Sequence, residues 1–194
     1  VGITAIYAAW ERSCVITGMQ SVRCWGRNAH GVLGYPPSLP LRCTSTSRDG
    51  ECDLDAPPPY DVDFGGARIV ELSLGQTHSC ALDDQGAVRC WGGSNWGRVG
   101  AGDTPGETPP VLPSARTVDF GDFDHDGRPD PAVQLELGNL HGCARMQRGG
   151  VRCWGQGNKG KLGYASSDNI GDNETPGQYY ERQGYAAVNA FPPR

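Results

Sequence analysis

Two stretches of the chain alternate apolar and polar residues, Ala67-Arg68-Ile69-Val70-Glu71-Leu72-Ser73-Leu74 and Ala132-Val133-Gln134-Leu135-Glu136-Leu137, and a third apolar run covers Ile3 to Ala9. A period of two residues is that of a half-buried β-strand. Each run precedes a segment that opens near a cysteine and passes through Cys-Trp-Gly: SCVITGMQSVRCWGRNAHGVLGY at 13–35, SCALDDQGAVRCWGGSNWGRVGAG at 79–102 and GCARMQRGGVRCWGQGNKGKLGYA at 142–165. Recurrence in register every 63–66 residues means one supersecondary unit repeated, so the chain reads as a stack. No segment sustains the apolar period of a helix, and the class predicted is all-β.

Within a unit, Cys80 to Cys90 reads as a hairpin with the two cysteines opposite one another. Pairing then runs Ala81 with Arg89, Leu82 with Val88 and Asp83 with Ala87, leaving the loop Asp84-Gln85-Gly86. Glycine at the third loop position suits a left-handed residue. Gln147-Arg148-Gly149 repeats this pattern, whereas Gly18-Met19-Gln20 places glycine first. Alternation puts Cys80, Leu82, Val88 and Cys90 on one face and Arg89 and Trp91 on the other. The glycine-rich segments 26–34, 92–100 and 155–163 read as tight turns leading into a fourth short strand.

The eight cysteines fall into pairs: Cys14/Cys24, Cys80/Cys90 and Cys143/Cys153 with nine residues between them, and Cys43/Cys52 with eight. An even number at repeated spacing predicts disulfides between these neighbours, hence an oxidising compartment and a secreted or cell-surface protein. Zinc would want Cys-x-x-Cys pairs, and none occurs. A disulfide closing a loop of this size contributes roughly 3 kcal/mol in the chain-entropy model. Such ties matter because only 37% of residues are apolar, and 29 glycines with 15 prolines leave a thin core. The net charge of −5 offers no basic field for phosphates, which argues against nucleic acid. No apolar run approaches the ~20 residues of a membrane span, and Val at position 1 fits a chain from which a leader has been cut.

His78-Ser79-Cys80-Ala81-Leu82, Gly86-Ala87-Val88-Arg89-Cys90-Trp91-Gly92 and Asn95-Trp96-Gly97-Arg98-Val99-Gly100 resemble the regulator of chromosome condensation repeat family. The third repeat resembles it through His141-Gly142-Cys143-Ala144, Trp154-Gly155 and Asn158 to Gly163, and the first through Trp25-Gly26 and Asn28 to Gly34. The resemblance implies four-stranded β-propeller blades. Founding members of the family act on small GTPases, whereas paired cysteines in an acidic chain place this one nearer a secreted, disulfide-bearing branch.

The chain therefore reads as one domain of three repeats: 1–66 with a disulfide-tied insertion, 67–131 with a second insertion, 132–177, and a C-terminal strand or tail at 178–194. Closed propellers have about four to eight blades, so three leave open ends unless the chain is part of a longer propeller, is completed by another chain, or is capped by its own termini. Tyr185 to Phe191 reads as the opening strand of an uncompleted blade. The expected function is an extracellular structural protein that self-assembles head to tail through its incomplete ends, since heterologous contacts that do not close make filaments. The alternative is a secreted binding module for carbohydrate or protein, with Trp10 or Trp96 beside Tyr179 and Tyr180 stacking on a sugar.

The second insertion holds Asp122-Phe123-Asp124-His125-Asp126-Gly127-Arg128-Pro129-Asp130. Oxygens from Asp122, Asp124, Asp126 and Asp130, the Arg128 carbonyl and a turn at Gly127 follow the logic of a calcium loop, without the usual glutamate at position twelve. Gly121 to Asp130 resembles the calcium loops of integrin-type propeller repeats, which implies structural Ca2+. The insertion at 36–59 reads as a disulfide-tied contact loop, and Asn173-Glu174-Thr175 is an N-glycosylation sequon. No nucleophile elbow, HExxH or phosphate loop appears, and His78 and His141 share one repeat position, so no catalysis is expected.

Overall fold

Each repeat folds as an antiparallel sheet of three strands in the computed structural model, which describes residues 2–46, 52–102, 112–114, 117–122 and 126–184. The first blade is β1 (Ile3–Ala9), β2 (Arg12–Thr17) and β3 (Val22–Gly26). Its insertion adds a small pair, β4 (Ser45–Thr46) and β5 (Cys52–Asp53). The second blade is β6 (Ile69–Leu74), β7 (His78–Asp83) and β8 (Val88–Gly92), and the third is β9 (Ala132–Leu137), β10 (His141–Met146) and β11 (Val151–Gly155).

The hairpin register is the one the sequence predicts: Cys80 faces Cys90, Ala81 faces Arg89 and Leu82 faces Val88. All four cysteine pairs are disulfides, with Cα atoms 4.0–4.1 Å apart in the three hairpins and 5.1 Å apart for Cys43–Cys52. The first hairpin makes the same turn as the others although its glycine stands elsewhere. Gln20 takes the left-handed conformation at φ 60°, where Gly86 and Gly149 lie at 83° and 92°.

The fourth strand does not follow Cys-Trp-Gly. Those segments are 3-10 turns at Ala29–Gly31, Asn95–Gly97 and Asn158–Gly160. Left-handed residues at His30, Trp96 and Lys159 and at the glycines after them cannot lie in a pleated strand. At Gly97 a side chain would meet the Ile170 carbonyl at 2.5 Å, so this turn also needs the missing Cβ for packing. The outer edges of the first two blades are taken instead by a repeated Val-Asp-Phe-Gly. Val62 N–H donates to the Val22 carbonyl (2.8 Å) and Val118 N–H to the Val88 carbonyl (2.7 Å).

Blades stack with the disulfide side of one against the tryptophan side of the next. Between blades one and two, Cys14, Ile16, Val22, Cys24 and Phe64 pack on Ile69, Leu72, Ala81 and Trp91. Between blades two and three, Cys80, Leu82, Val88, Cys90 and Phe120 meet Ala132, Leu135, Ala144 and Trp154. The second hairpin is thus buried on both faces, where alternation alone identifies a single apolar one. Each buried indole donates across the joint, Trp91 Nε1 to the Val32 carbonyl and Trp154 Nε1 to the Arg98 carbonyl, both at 2.9 Å. Phe64 and Phe120 stand edge-on to these rings, with centres 5.4 Å apart. Burial of one such ring contributes on the order of 5 kcal/mol of transfer free energy, an upper bound.

A polar clamp joins the first two blades beside this core. Arg12 stands where the later repeats have His78 and His141, and its guanidinium donates to the carbonyls of Gly75 (2.6 Å), His78 (2.8 Å) and Gln76 (3.2 Å). Burial lowers its pKa only to about 10, so the clamp stays charged at neutral pH.

After the third blade the chain forms α1 (Pro176–Gln183). The helix takes up residues 178–183 of the expected C-terminal strand or tail; the strand expected over 185–191 lies outside the described residues. The helix is specified locally and is too short to show a period. Thr175 and Gln178 form a capping box, Pro176 opens the first turn and Gly184 ends it at φ 65°. It docks through Tyr179 and Tyr180, with the Tyr180 hydroxyl donating to the Cys153 carbonyl (2.8 Å) and Gly177 N–H to Asp119 O (2.8 Å).

Replacing Trp91 by Phe removes the N–H and part of a buried ring, and the expected loss is about 2 kcal/mol in urea unfolding. The same change at Trp25, which no blade covers, is expected to cost less than about 0.5 kcal/mol. Acid gives a second prediction. His78 is fully buried and neither ring nitrogen meets a partner among the described residues; burial first, then the charges of Arg98 and Arg12, push its pKa down to about 3. The unfolded chain takes up this proton near pH 6.5 and the folded chain does not, so the contribution of His78 is complete above that pH. It declines as pH falls towards 3, by at most about 1.4 kcal/mol per pH unit. Urea unfolding at pH 7 and 5.5 should show a steeper loss for the wild type than for His78→Gln; equal losses would contradict the assignment.

Candidate functional site

The three repeats supply their own standard for what a blade face should look like. Leu72 pairs with Ala81 and Leu135 with Ala144, next to Trp91 and Trp154, and both leucines are sealed under a preceding blade, at 2% and 1% exposure. In blade one the corresponding residues are Ile6, paired with Val15, and Trp25. Ile6 is 69% exposed, and Ile3 is 59% exposed where its counterpart Ile69 is fully buried. Among the described residues the Trp25 indole has no acceptor of the kind that Val32 and Arg98 offer to the other two. Ile3, Val15, Met19, Trp25 and Pro57 line an apolar cleft of about 440 Å³ on this face, with the Arg23–Asp61 ion pair (2.7 Å) at its rim.

The opposite end of the stack is finished differently. Ile16 and Leu82 pair with Val22 and Val88 on the disulfide faces of blades one and two, and both are 3% exposed. In blade three this position is Arg145, paired with Val151, exposed, and bonded through Nε to Gln134 Oε1 (3.2 Å). Beside it, α1 lays Tyr180 over the Cys153 carbonyl and over Arg152, whose guanidinium carbon lies 5.1 Å from the ring centre. Blade three thus carries a charge where the others carry an apolar residue of the joint, while a tyrosine hydroxyl on the cysteine carbonyl is common to blades one and three, Tyr35 on Cys24 (3.3 Å) and Tyr180 on Cys153.

The residues singled out for calcium are only partly brought together. Asp122 is turned inward by the N–H groups of Asp126 (3.1 Å) and Gly127 (2.8 Å), and Asp126 accepts from Arg128 N–H (2.9 Å). Asp130, however, pairs with buried Arg152 at 3.0 Å. Asp124 lies outside the described residues, and among the described residues no group of three or more His, Cys, Asp or Glu is placed to hold a metal ion. The Cys43–Cys52 bridge ties β4 to β5 beside a proline-lined cleft of about 580 Å³. Asn173 is exposed on the turn before α1.

Trp10 is 60% and Trp96 43% exposed, the latter under the Arg98 guanidinium at 5.2 Å. Tyr179 and Tyr180 are buried against the third blade and form no sugar platform with them. His78 and His141 sit in equivalent turns, His78 closed in by Gly75, where a Cβ would lie 2.3 Å from the ring. Three features escape the sequence reading: the Arg12 clamp, the Arg145 exchange and α1. The first two are visible as departures from the repeat, and the third as Thr-Pro-Gly-Gln before Gly184.

Residues 69–97 match the model of the Regulator of chromosome condensation (RCC1) repeat. The chain is 32% identical over 165 residues to the Ultraviolet-B receptor UVR8 of Arabidopsis thaliana, covering 85% of this chain and 32% of that protein. It is 28% identical over 161 residues to the human Probable E3 ubiquitin-protein ligase HERC3, covering 82% of this chain and 13% of that protein. Among solved structures, Prp20p of Saccharomyces cerevisiae superposes with a TM-score of 0.66 at 17% identity over 89% of this chain and 37% of that one. Human WBSCR16 superposes with a TM-score of 0.62 at 21% identity, over 89% and 38%. The chain thus spans well under half the length of each of these proteins, and the likeness to the two structures is one of fold. Residues 69–97 thus match one regulator of chromosome condensation repeat, and the three blades share its strand order and hairpin register in a β-propeller-like fold.

Proposed function

We propose that the chain is a secreted or cell-surface interaction scaffold, without chemistry of its own, that holds a protein through the open face of its first blade. The observation that carries this reading is the exposure of Ile3 and Ile6 at positions buried in the other two blades. Contiguous apolar surface of this kind marks an interaction site on a soluble protein. Four disulfides and no free cysteine suit an oxidising environment, in which founding-type action on cytosolic GTPases has no place. Among the described residues no helix is long and apolar enough to cross a membrane. Head-to-tail filament growth is the special case in which the partner is another copy at the blade-three end.

Structural calcium at 122–130 belongs to the same proposal. Asp122 and Asp126 offer carboxylates and Arg128 a carbonyl, and a full set would draw Asp130 away from Arg152. The ion would order the insertion that leads into blade three. Isothermal titration with millimolar calcium should then show binding that Asp122→Asn removes, and silence in the wild type would end the proposal.

The docking face is tested by the mass of the full-length protein in the medium of the cells that produce it, measured by light scattering. The wild type is expected above the mass of a single chain and Ile6→Glu at that mass, both with native circular dichroism. An unchanged mass on substitution overturns the reading.

A further inference from the structure

The turn between β1 and β2 carries a residue that its backbone disfavours. Ala9 pairs with Arg12, which leaves Trp10 and Glu11 as a two-residue turn, and Trp10 holds the left-handed conformation at φ 55°. Turns of this length favour glycine or asparagine at such a place, because a residue with a Cβ adopts positive φ at a cost. Packing does not offset that cost, since Trp10 is 60% exposed. Nor does the exposure arise from the uncovered face of blade one. Gln76 and Asn139 hold the same place in the next two repeats, where a neighbouring blade is present on that side, and both are exposed.

Trp10 borders a cleft of about 490 Å³ at the joint of blades one and two, with Glu11, Arg27, His30 and Val32 of blade one and Gln76 of blade two around it. One repeat on, the corresponding space is occupied by a side chain. Arg98 stands where blade one has Val32, and it is buried with its guanidinium donating to the Asn95 carbonyl (2.7 Å) and the Thr77 hydroxyl. Val32 is too short to reach in this way, so the first joint keeps a hollow with polar walls. Glu11, at the place of Thr77, accepts from Arg27 Nη1 (2.5 Å), and the pair presents a carboxylate and a guanidinium without net charge. The terminal nitrogens of Arg12 are held by the carbonyls of Gly75, Gln76 and His78 and add no further charge to the cleft. Gln76 adds an exposed amide.

An open indole face beside a charge-balanced set of donors and acceptors has the chemistry that recognises a sugar ring. The apolar C–H face of a pyranose lies on the indole, and its hydroxyls, each both donor and acceptor, satisfy carboxylate, guanidinium and amide together. A charged ligand meets no unmatched opposite charge here. We infer that this cleft binds a neutral saccharide, with the ring stacked on Trp10 and its hydroxyls bonded to Glu11, Arg27 and Gln76. The site is a further function beside the docking role, because the cleft and the one at Ile3 and Trp25 have no lining residue in common.

The test is affinity electrophoresis of the full-length protein, disulfides intact, through gels holding laminarin, mannan, xylan or galactan, and through gels holding heparin or polygalacturonate. Retardation is expected in at least one neutral gel, with release by free oligosaccharide of the same sugar. Trp10→Gly suits the left-handed backbone, so its urea midpoint equals or exceeds that of the wild type, while its affinity falls about tenfold or more. Gln76→Ala lowers affinity about threefold to tenfold, and Ile6→Glu leaves it unchanged. Free migration in every neutral gel, retardation in the anionic gels alone, or wild-type retardation of Trp10→Gly overturns the inference and leaves the docking role intact. Loss of retardation in Ile6→Glu would place the sugar on the docking face and overturn it as well.

Discussion

One hydrogen bond, made twice, sets the geometry of this protein: the indole N–H of a tryptophan donated to a backbone carbonyl in the glycine turn of the blade before it. The bond runs at 2.9 Å in both joints, from the Nε1 of a fully buried indole. A buried indole without an acceptor would carry a desolvation cost of about 1–3 kcal/mol, so the turn must present that carbonyl at a fixed place. This requirement explains why the turn is stiff. His30, Trp96 and Lys159 accept left-handed backbone, which non-glycine residues adopt at a cost, and each is followed by a glycine at φ 68–73°. The consequence is a stack in which each blade orients the next.

The disulfides act on the same joint from the other side. The bridges of blades one and two lie on the faces that Trp91 and Trp154 cover, so they stand in for apolar bulk that a glycine- and proline-rich chain lacks. A bridge between directly opposed strand residues also pins register, and register decides which residues face the joint, since a slip of one residue exchanges the two faces. Loss of one bridge therefore has two effects, on the entropy of the unfolded chain and on the specification of the stack.

Much of this was legible in the sequence, for identifiable reasons. The hairpins announced themselves through paired cysteines, alternation in β6 and β9 and glycine at the loop position of two repeats. The joints were legible only as a hint, because the recurrence of Trp25, Trp91 and Trp154 says that a tryptophan is needed without naming its acceptor, a backbone atom that no side-chain pattern encodes. The fourth strand was misplaced since the glycine turns separate it from Cys-Trp-Gly, and the edge that replaces it in the first two blades, Val-Asp-Phe-Gly, is held there by the backbone bond from Val62 or Val118. Helix α1 escaped because eight residues show no period and its capping box is a local signal. Asp130 reads as a ligand by spacing, whereas its partner Arg152 is 22 residues away and meets it only in the folded chain.

The two ends of the stack differ in a way that a repeat protein must resolve. A unit whose two faces are complementary adds further units without limit, and solubility then depends on where addition stops. Here the receiving face is intact in blade one, down to the pairing of Ile6 with Val15, while the opposite face of blade three differs by a single charge, Arg145, at the place of Ile16 and Leu82. The Tyr180 hydroxyl on the Cys153 carbonyl does not set blade three apart, because Tyr35 makes the same bond to the Cys24 carbonyl in blade one. The asymmetry gives the stack a direction: apolar residues lie uncovered on the outer face of blade one, and a charge stands at the matching place of blade three.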